Sequence, residues 1–227
     1  GKAGSMHLTA PEHGLMATSA VVGTTIPVAV GAAFANQALA NDKTVAVFFG
    51  DGALDEGVFW ESFNAACLKR LPMIFVCEDN DLAVHAKKAD RQGYHSIVHI
   101  MGHFHCHAWT VSTTDVEEIY HFALKAGQAA KANNCPVFVH LKYYRYLEHT
   151  GAKQDFNRGY RPKDEFEKWL KMDPVQLQRD RLVKDLGLEA EVVEIEKNIN
   201  AQIEKSIALA KEADFPDKAE LFKGVLA

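Results

Sequence analysis

Two side chains carry the first chemical signal. Asp51 stands between Gly50 and Gly52 where one apolar run closes, and Asn80 closes the next apolar run, 29 residues on. A carboxylate and an amide oxygen are hard donors that suit Mg²⁺, which shares its near-octahedral shell with water and substrate phosphates. The amide adds no second negative charge beside a diphosphate. A backbone carbonyl just after Asn80 would complete the protein's share. Gly52 and Ala53 are expected to open the following helix, so that their amides and its positive end face a phosphate oxygen. A plainer alternative stays open, in which Asp51 caps a helix and the glycines serve a tight turn.

The surrounding pattern must place these residues at one edge. Residues 44–49 and 73–77 are apolar and β-branched enough to read as buried strands, with a helix over about 55–70 between them. Further strands are expected near 108–111 and 136–141, with a helix at 116–132 capped by Asp115. Strands alternating with helices imply an α/β fold: a parallel sheet with helices on both faces. In such sheets ligands bind outside the carboxyl ends of the strands, where both turns lie. Thr24-Thr25-Ile26-Pro27 reads as a helix start, with a Thr cap and Pro in the first turn. That helix runs to about Leu39. Residues 81–95 read as a polar loop with a short helix. After Tyr143 a polar, aromatic segment, 143–162, is too long for a bare connection and is expected to be functional. A C-terminal helical segment over 163–227 follows, with helices at 163–170, from Pro174 to about 186 and from 189 to about 213. The α/β domain then spans 1–142.

Composition narrows the partners. The chain has 227 residues and a net charge of −5, which leaves no basic footprint for nucleic acid. Residues 14–41 carry no Asp, Glu, Lys or Arg, yet Pro27 and several polar residues and glycines break the run. It reads as a helix packed into a large interface, not as a membrane span. Cys67, Cys77, Cys106 and Cys135 show no CxxC spacing and read as free thiols in a reducing compartment. His103, His105 and His107 alternate, which would put all three on one strand face, a poor geometry for structural zinc. Trp60, Trp109 and Trp169 sit in apolar contexts and are expected to pack.

The GDG then Asn spacing resembles the thiamine diphosphate motif. The wider text is more specific. Gly4-Ser5-Met6-His7, Val22-Gly23-x-x-Ile26-Pro27-x-Ala29-x-Gly31, Gly57-x-x-x-Glu61-x-x-Asn64-x-Ala66 and Tyr144-Arg145-Tyr146-x-x-His149 resemble the alpha subunit of the dehydrogenase component of 2-oxo acid dehydrogenase complexes. The resemblance runs from Gly1 to about Pro174 and is weak for the substrate. It implies that Asp51 and Asn80 hold Mg²⁺ through side chains and Leu82 through its carbonyl. Gly50, Gly52 and Ala53 would lie at the diphosphate. Ala20 and Val22 would meet the aminopyrimidine through backbone groups, and Ile26 would support the bent cofactor. His149 would lie near diphosphate and substrate, and His7 at the mouth of the site. The activity implied is oxidative decarboxylation of a 2-oxo acid with acyl transfer to a lipoyl group or another acceptor.

The same resemblance implies partners. A beta subunit, in a dimer of heterodimers, would supply the glutamate that protonates the cofactor ring, so Glu61 is read as structural or interfacial. A lipoyl acyltransferase component would accept the acyl group. The expected place is the cytoplasm, or the mitochondrial matrix in a eukaryote. The family segment that precedes Gly1, which brings an Arg and a Tyr to the diphosphate, is not in this sequence, and the chain alone is expected to be incompetent. Departures from the pattern are Asp79 and Asp81 flanking Asn80, Leu82 in place of an aromatic, His85-Ala86 in place of a Ser/Thr pair, and Glu148-His149-Thr150 in the loop. They keep two alternatives open: another thiamine diphosphate subunit of decarboxylase or transketolase type, or an interaction subunit that has lost the cofactor.

Overall fold

The structure is a computed structural model and describes residues 6–223; Gly4 and Ser5 of the Gly-Ser-Met-His motif lie outside them. Helix α1 (Thr25–Ala38) leads into strand β1 (Val45–Gly50), a 3-10 turn at Asp51–Asp55, helix α2 (Gly57–Lys69) and strand β2 (Met73–Asp79). A two-residue hairpin follows, β3 (Leu82–Ala83) with β4 (Ala86–Lys87), then a short α3 (Ile97–Met101). Strand β5 (His107–Val111), helix α4 (Val116–Asn133) and strand β6 (Val137–Lys142) complete the sheet. Its four strands lie in the order β1-β2-β6-β5, and every neighbouring pair is parallel. The crossover helices make this pairing possible, since parallel neighbours cannot be joined by a tight turn.

Alternation along β2 shows which face is the core. Met73, Phe75, Cys77 and Asp79 are buried, while the residues between them are half-buried. On that face α2 lays down Phe59 and Phe63, both 0% exposed, against Phe75 and Phe138. Fully burying such a ring contributes about 1.5–3 kcal/mol. Ile26, Ala29 and Ala33 of α1 and Ile97 and Met101 of α3 join the same cluster. The opposite face is covered by α4, whose Ala126 and Ala130 sit on Val111, Val137 and Val139. Small residues there let the helix approach the strands closely.

Local signals fared unevenly. Asp115 caps α4 as expected, accepting from the amides of Glu117 and Glu118. Asp173 caps α6 (Pro174–Asp180) by accepting from Gln176, after the short α5 (Lys163–Leu170). Thr24 does not cap α1: its hydroxyl donates to the Val21 carbonyl instead. Gly52 and Ala53 belong to a 3-10 turn and not to the first turn of α2. The three histidines do not share a strand face, because only His107 lies on β5 and residues 103–106 form turns. No group of three His, Cys, Asp or Glu able to hold a metal occurs among the described residues. Trp60, Trp109 and Trp169 pack against Phe59, Phe122 and Tyr144. The four cysteines are free, and Cys106 alone is not fully buried. Burial pushes the Cys77 thiol up, which leaves it unreactive near neutrality.

The last long helix, α7 (Glu189–Glu212), buries only Val192. No helix among the described residues is long and apolar enough to cross a membrane.

Candidate functional site

Register brings the two turns together. Gly50 at the end of β1 pairs with Glu78 in β2, so Asp51 and the residues after Asp79 emerge side by side. Asp51 is 1% exposed. The chain then doubles back through Asp81, whose φ of 67° is in the left-handed region. Asn80 organises that reversal: its Oδ1 accepts from the Leu82 amide at 3.0 Å and its Nδ2 donates to the Tyr143 hydroxyl at 2.7 Å. The hairpin that follows closes over Gly52. A Cβ there would come within 3.0 Å of the Ala83 Cβ, so the hairpin must move for any larger residue.

Charge on this edge is dense and mostly paired. Asp51 Oδ2 accepts from Arg91 Nη2 at 2.5 Å, and Arg91 Nη1 also reaches Asp55. Gln92 donates to the Asp51 carbonyl at 3.1 Å and to Asp55 at 3.2 Å. Asp51 Oδ1 is buried and has no hydrogen-bond partner. Burial raises the Asp51 carboxyl above its usual range and outweighs the opposing pull of Arg91. Such an oxygen costs free energy unless something binds it.

Asp79 differs. Burial works against its charge, but His140 at 2.6 Å, Lys88 at 2.5 Å and the Asp81 amide hold it well below the usual carboxylate range. The extra carboxylate that Asp79 brings to the family pattern is therefore neutralised within the chain. Asp81 is exposed and lies 3.6 Å from the same Lys88 nitrogen.

The segment 143–162 is anchored directly to this edge. Tyr143 bonds Asn80, Arg145 donates to the Val84 carbonyl at 2.9 Å, and the rings of His85 and Tyr160 meet at 4.6 Å. Its own fold is held by Asp155, 0% exposed, which accepts from Arg161 Nε at 2.7 Å and from Arg145 at 3.4 Å. Arg161 also donates to the Arg145 and Leu147 carbonyls and lies over the Tyr144 ring.

The predicted site residues divide into two sets. Gly50, Asp51, Gly52, Ala53, Asn80 and Leu82 meet at the ends of β1 and β2. Gly23 takes φ 79° and packs on Glu56 and Val58 at the start of α2, so the exposed Ala20 and Val22 lie on the segment leading to that contact. Ile26 is buried in the core, and His149 and His7 are exposed. Sequence reading missed Lys88, Arg91, His140 and Tyr143. Lys88 and Arg91 fall in a polar stretch without period, and His140 sits inside an apolar strand; the one available hint was an uncompensated charge at Asp79.

Comparison with known proteins gives the family. Residues 1–219 match the family described as "Dehydrogenase E1 component". The chain belongs to that family. Its relatives include alpha subunits: the pyruvate dehydrogenase E1 component subunit alpha of Rickettsia felis is 27% identical over 226 residues, covering 99% of this chain and 68% of that protein. The Zymomonas mobilis protein of the same name is 33% identical, covering 100% of this chain and 63% of its own length. The mitochondrial one of Solanum tuberosum is 32% identical, with 99% of this chain and 57% of that protein covered. A solved transketolase from Pichia stipitis superposes at a TM-score of 0.48 and 26% identity over 55% of this chain and 20% of its own, too partial a match to carry weight.

Proposed function

We propose that the chain is the alpha-type subunit of a thiamine diphosphate-dependent 2-oxo acid dehydrogenase, working with a beta-type subunit in a two-plus-two assembly. One observation carries this reading: the buried, unpartnered Oδ1 of Asp51 beside Asn80, at the carboxyl ends of adjacent parallel strands. The donor set fits Mg²⁺, with one anionic oxygen, one amide oxygen with a free lone pair and the Leu82 carbonyl. Gly52 and Ala53 would offer amides to the diphosphate. Ala20 and Val22 would serve the aminopyrimidine end, and Ile26, buried in the core, would back the bend of the cofactor. When bound, the cofactor supplies an electron sink for loss of carbon dioxide. This chain's part is to hold and orient it, and to place His149 and His7 for proton traffic with substrate, since an imidazole can both accept and donate a proton. The relatives named for pyruvate support a small 2-oxo acid as substrate; the acyl group would pass to a lipoyl group or another acceptor. The exposed apolar side chains of α1, Val28 and Phe34, support a partner on that helix. The reading places the enzyme in the cytoplasm, or in the matrix of mitochondria in a eukaryotic source.

A second reading draws on Arg91. A guanidinium already paired with Asp51 is what an interaction subunit without cofactor would keep. Calorimetric titration of the co-expressed alpha–beta complex with thiamine diphosphate and Mg²⁺ separates the two. Binding is expected, and Asp51→Ala should abolish it. An intact complex that binds nothing sinks the cofactor reading. A panel of 2-oxo acids with an artificial electron acceptor then identifies the substrate.

A further inference from the structure

Arg91 stands on this edge without a part in the cofactor reading. It lies in a stretch between the hairpin and α3, 40 residues from Asp51, yet its guanidinium spans two carboxylates. The two differ in burial: the Asp51 side chain is 1% exposed and that of Asp55 is 31% exposed. Gln92 reinforces the same clamp, donating both to the Asp51 carbonyl and to Asp55. One end of the fork therefore sits on the proposed metal ligand. The other sits on a carboxylate that water can reach.

We propose that Arg91 is a displaceable counter-ion, which competes with the divalent cation for Asp51 and withdraws onto Asp55 when the cation binds. This rests on the cofactor reading above. The physical reason is local charge. A buried carboxylate needs a compensating cation, and Arg91 provides it. A dication on Oδ1 would stand a few ångströms from the guanidinium on Oδ2, in a site too dry to screen their repulsion. Asp55 gives the guanidinium somewhere to go without exposing an unpaired charge, because the fork is already attached there. Arg can make that shift because its planar fork keeps several donors. Metal loading would then loosen the link between the 88–92 segment and the turn after β1, and with it one restraint on the hairpin over Gly52.

The proposal predicts opposite signs for two substitutions, which a purely structural clamp would not produce. In the co-expressed complex, with thiamine diphosphate saturating, Mg²⁺ is titrated by calorimetry into the wild type, Arg91→Gln and Asp55→Asn. Arg91→Gln should bind Mg²⁺ about tenfold more tightly, because the competitor is gone, and Asp55→Asn about tenfold more weakly, because Arg91 loses its alternative anchor. Thermal unfolding gives a second readout: Mg²⁺ should raise the midpoint of Arg91→Gln more than that of the wild type. Should Arg91→Gln fail to assemble, Arg91→Lys is titrated in its place and should bind more tightly than wild type by a smaller factor. Equal affinities in wild type and the Arg91 variant overturn the proposal and leave the cofactor reading standing. Weaker binding by Arg91→Gln overturns it too, and would make Arg91 part of the diphosphate grip. Absence of Mg²⁺ binding in every form, wild type included, brings down the cofactor reading and this proposal together.

Discussion

Asp51 and Asp155 are both buried carboxylates facing arginine, and they are satisfied to different degrees. Both oxygens of Asp155 are taken, one by Arg161 and the other by Arg145. Asp51 has one oxygen on Arg91 and one on nothing. The first arrangement closes the segment 143–162 on itself and gives each buried oxygen a cationic donor. The second keeps a buried acceptor in reserve at the edge of the sheet. Burial alone thus does not mark a functional carboxylate; the count of donors around it does.

The most damaging change should be Asp155→Ala. It strands Arg161, which is 4% exposed, and removes the tie to Arg145. About 3–5 kcal/mol of stability should be lost, measured from urea unfolding midpoints. A loss below about 1 kcal/mol would show that Asp155 is not the scaffold described here. His149 is carried by the same segment but is exposed. His149→Ala should leave the unfolding midpoint in place while turnover falls about a hundredfold at unchanged cofactor affinity. Unchanged turnover would remove it from the chemistry.

Asp51→Asn sharpens the contrast from the other side. Arg91 keeps Asp55, so only a charged hydrogen bond is lost, worth about 2 kcal/mol in unfolding experiments, whereas cofactor binding should vanish. If it destabilised the chain as much as Asp155→Ala, the distinction between the two carboxylates would fail.

The smallest effect belongs to the surface pair that ties the C-terminal helices to α4. Arg181 beside Asp115 holds that carboxyl down at about 2. Its folded value lies below its unfolded one, so the folded state binds fewer protons in acid. The contribution is complete above the ordinary carboxylate value and is lost as the pH falls from about 4 towards 2. Arg181→Ala should therefore shift the acid-unfolding midpoint slightly upward. An unmoved midpoint would mean that solvent already screens the pair.

Legibility in the sequence followed the range of the interaction. β1, β2 and β6 were readable because apolar runs of the right length ended in turn residues. The caps at Asp115 and Asp173 were readable because their partners lie two and three residues away. The five residues of α3 are too few to show a period, and alternation at His103, His105 and His107 misled because the chain turns between Gly102 and Cys106. His140 reads as one more strand residue until register sets it beside Asp79, 61 positions earlier.

The sequence by itself determined where the turns fall and which oxygens they carry: an apolar run must end at a polar break, and Gly50, Asp51, Gly52 and Asn80 are those breaks. It could not determine which charges answer those oxygens. Lys88, Arg91 and His140 find Asp79 and Asp51 only after parallel pairing sets β1, β2 and β6 in order and the hairpin folds back over Gly52. That choice is made by geometry across the sheet, because a buried carboxylate takes whichever cation the packed chain brings within reach.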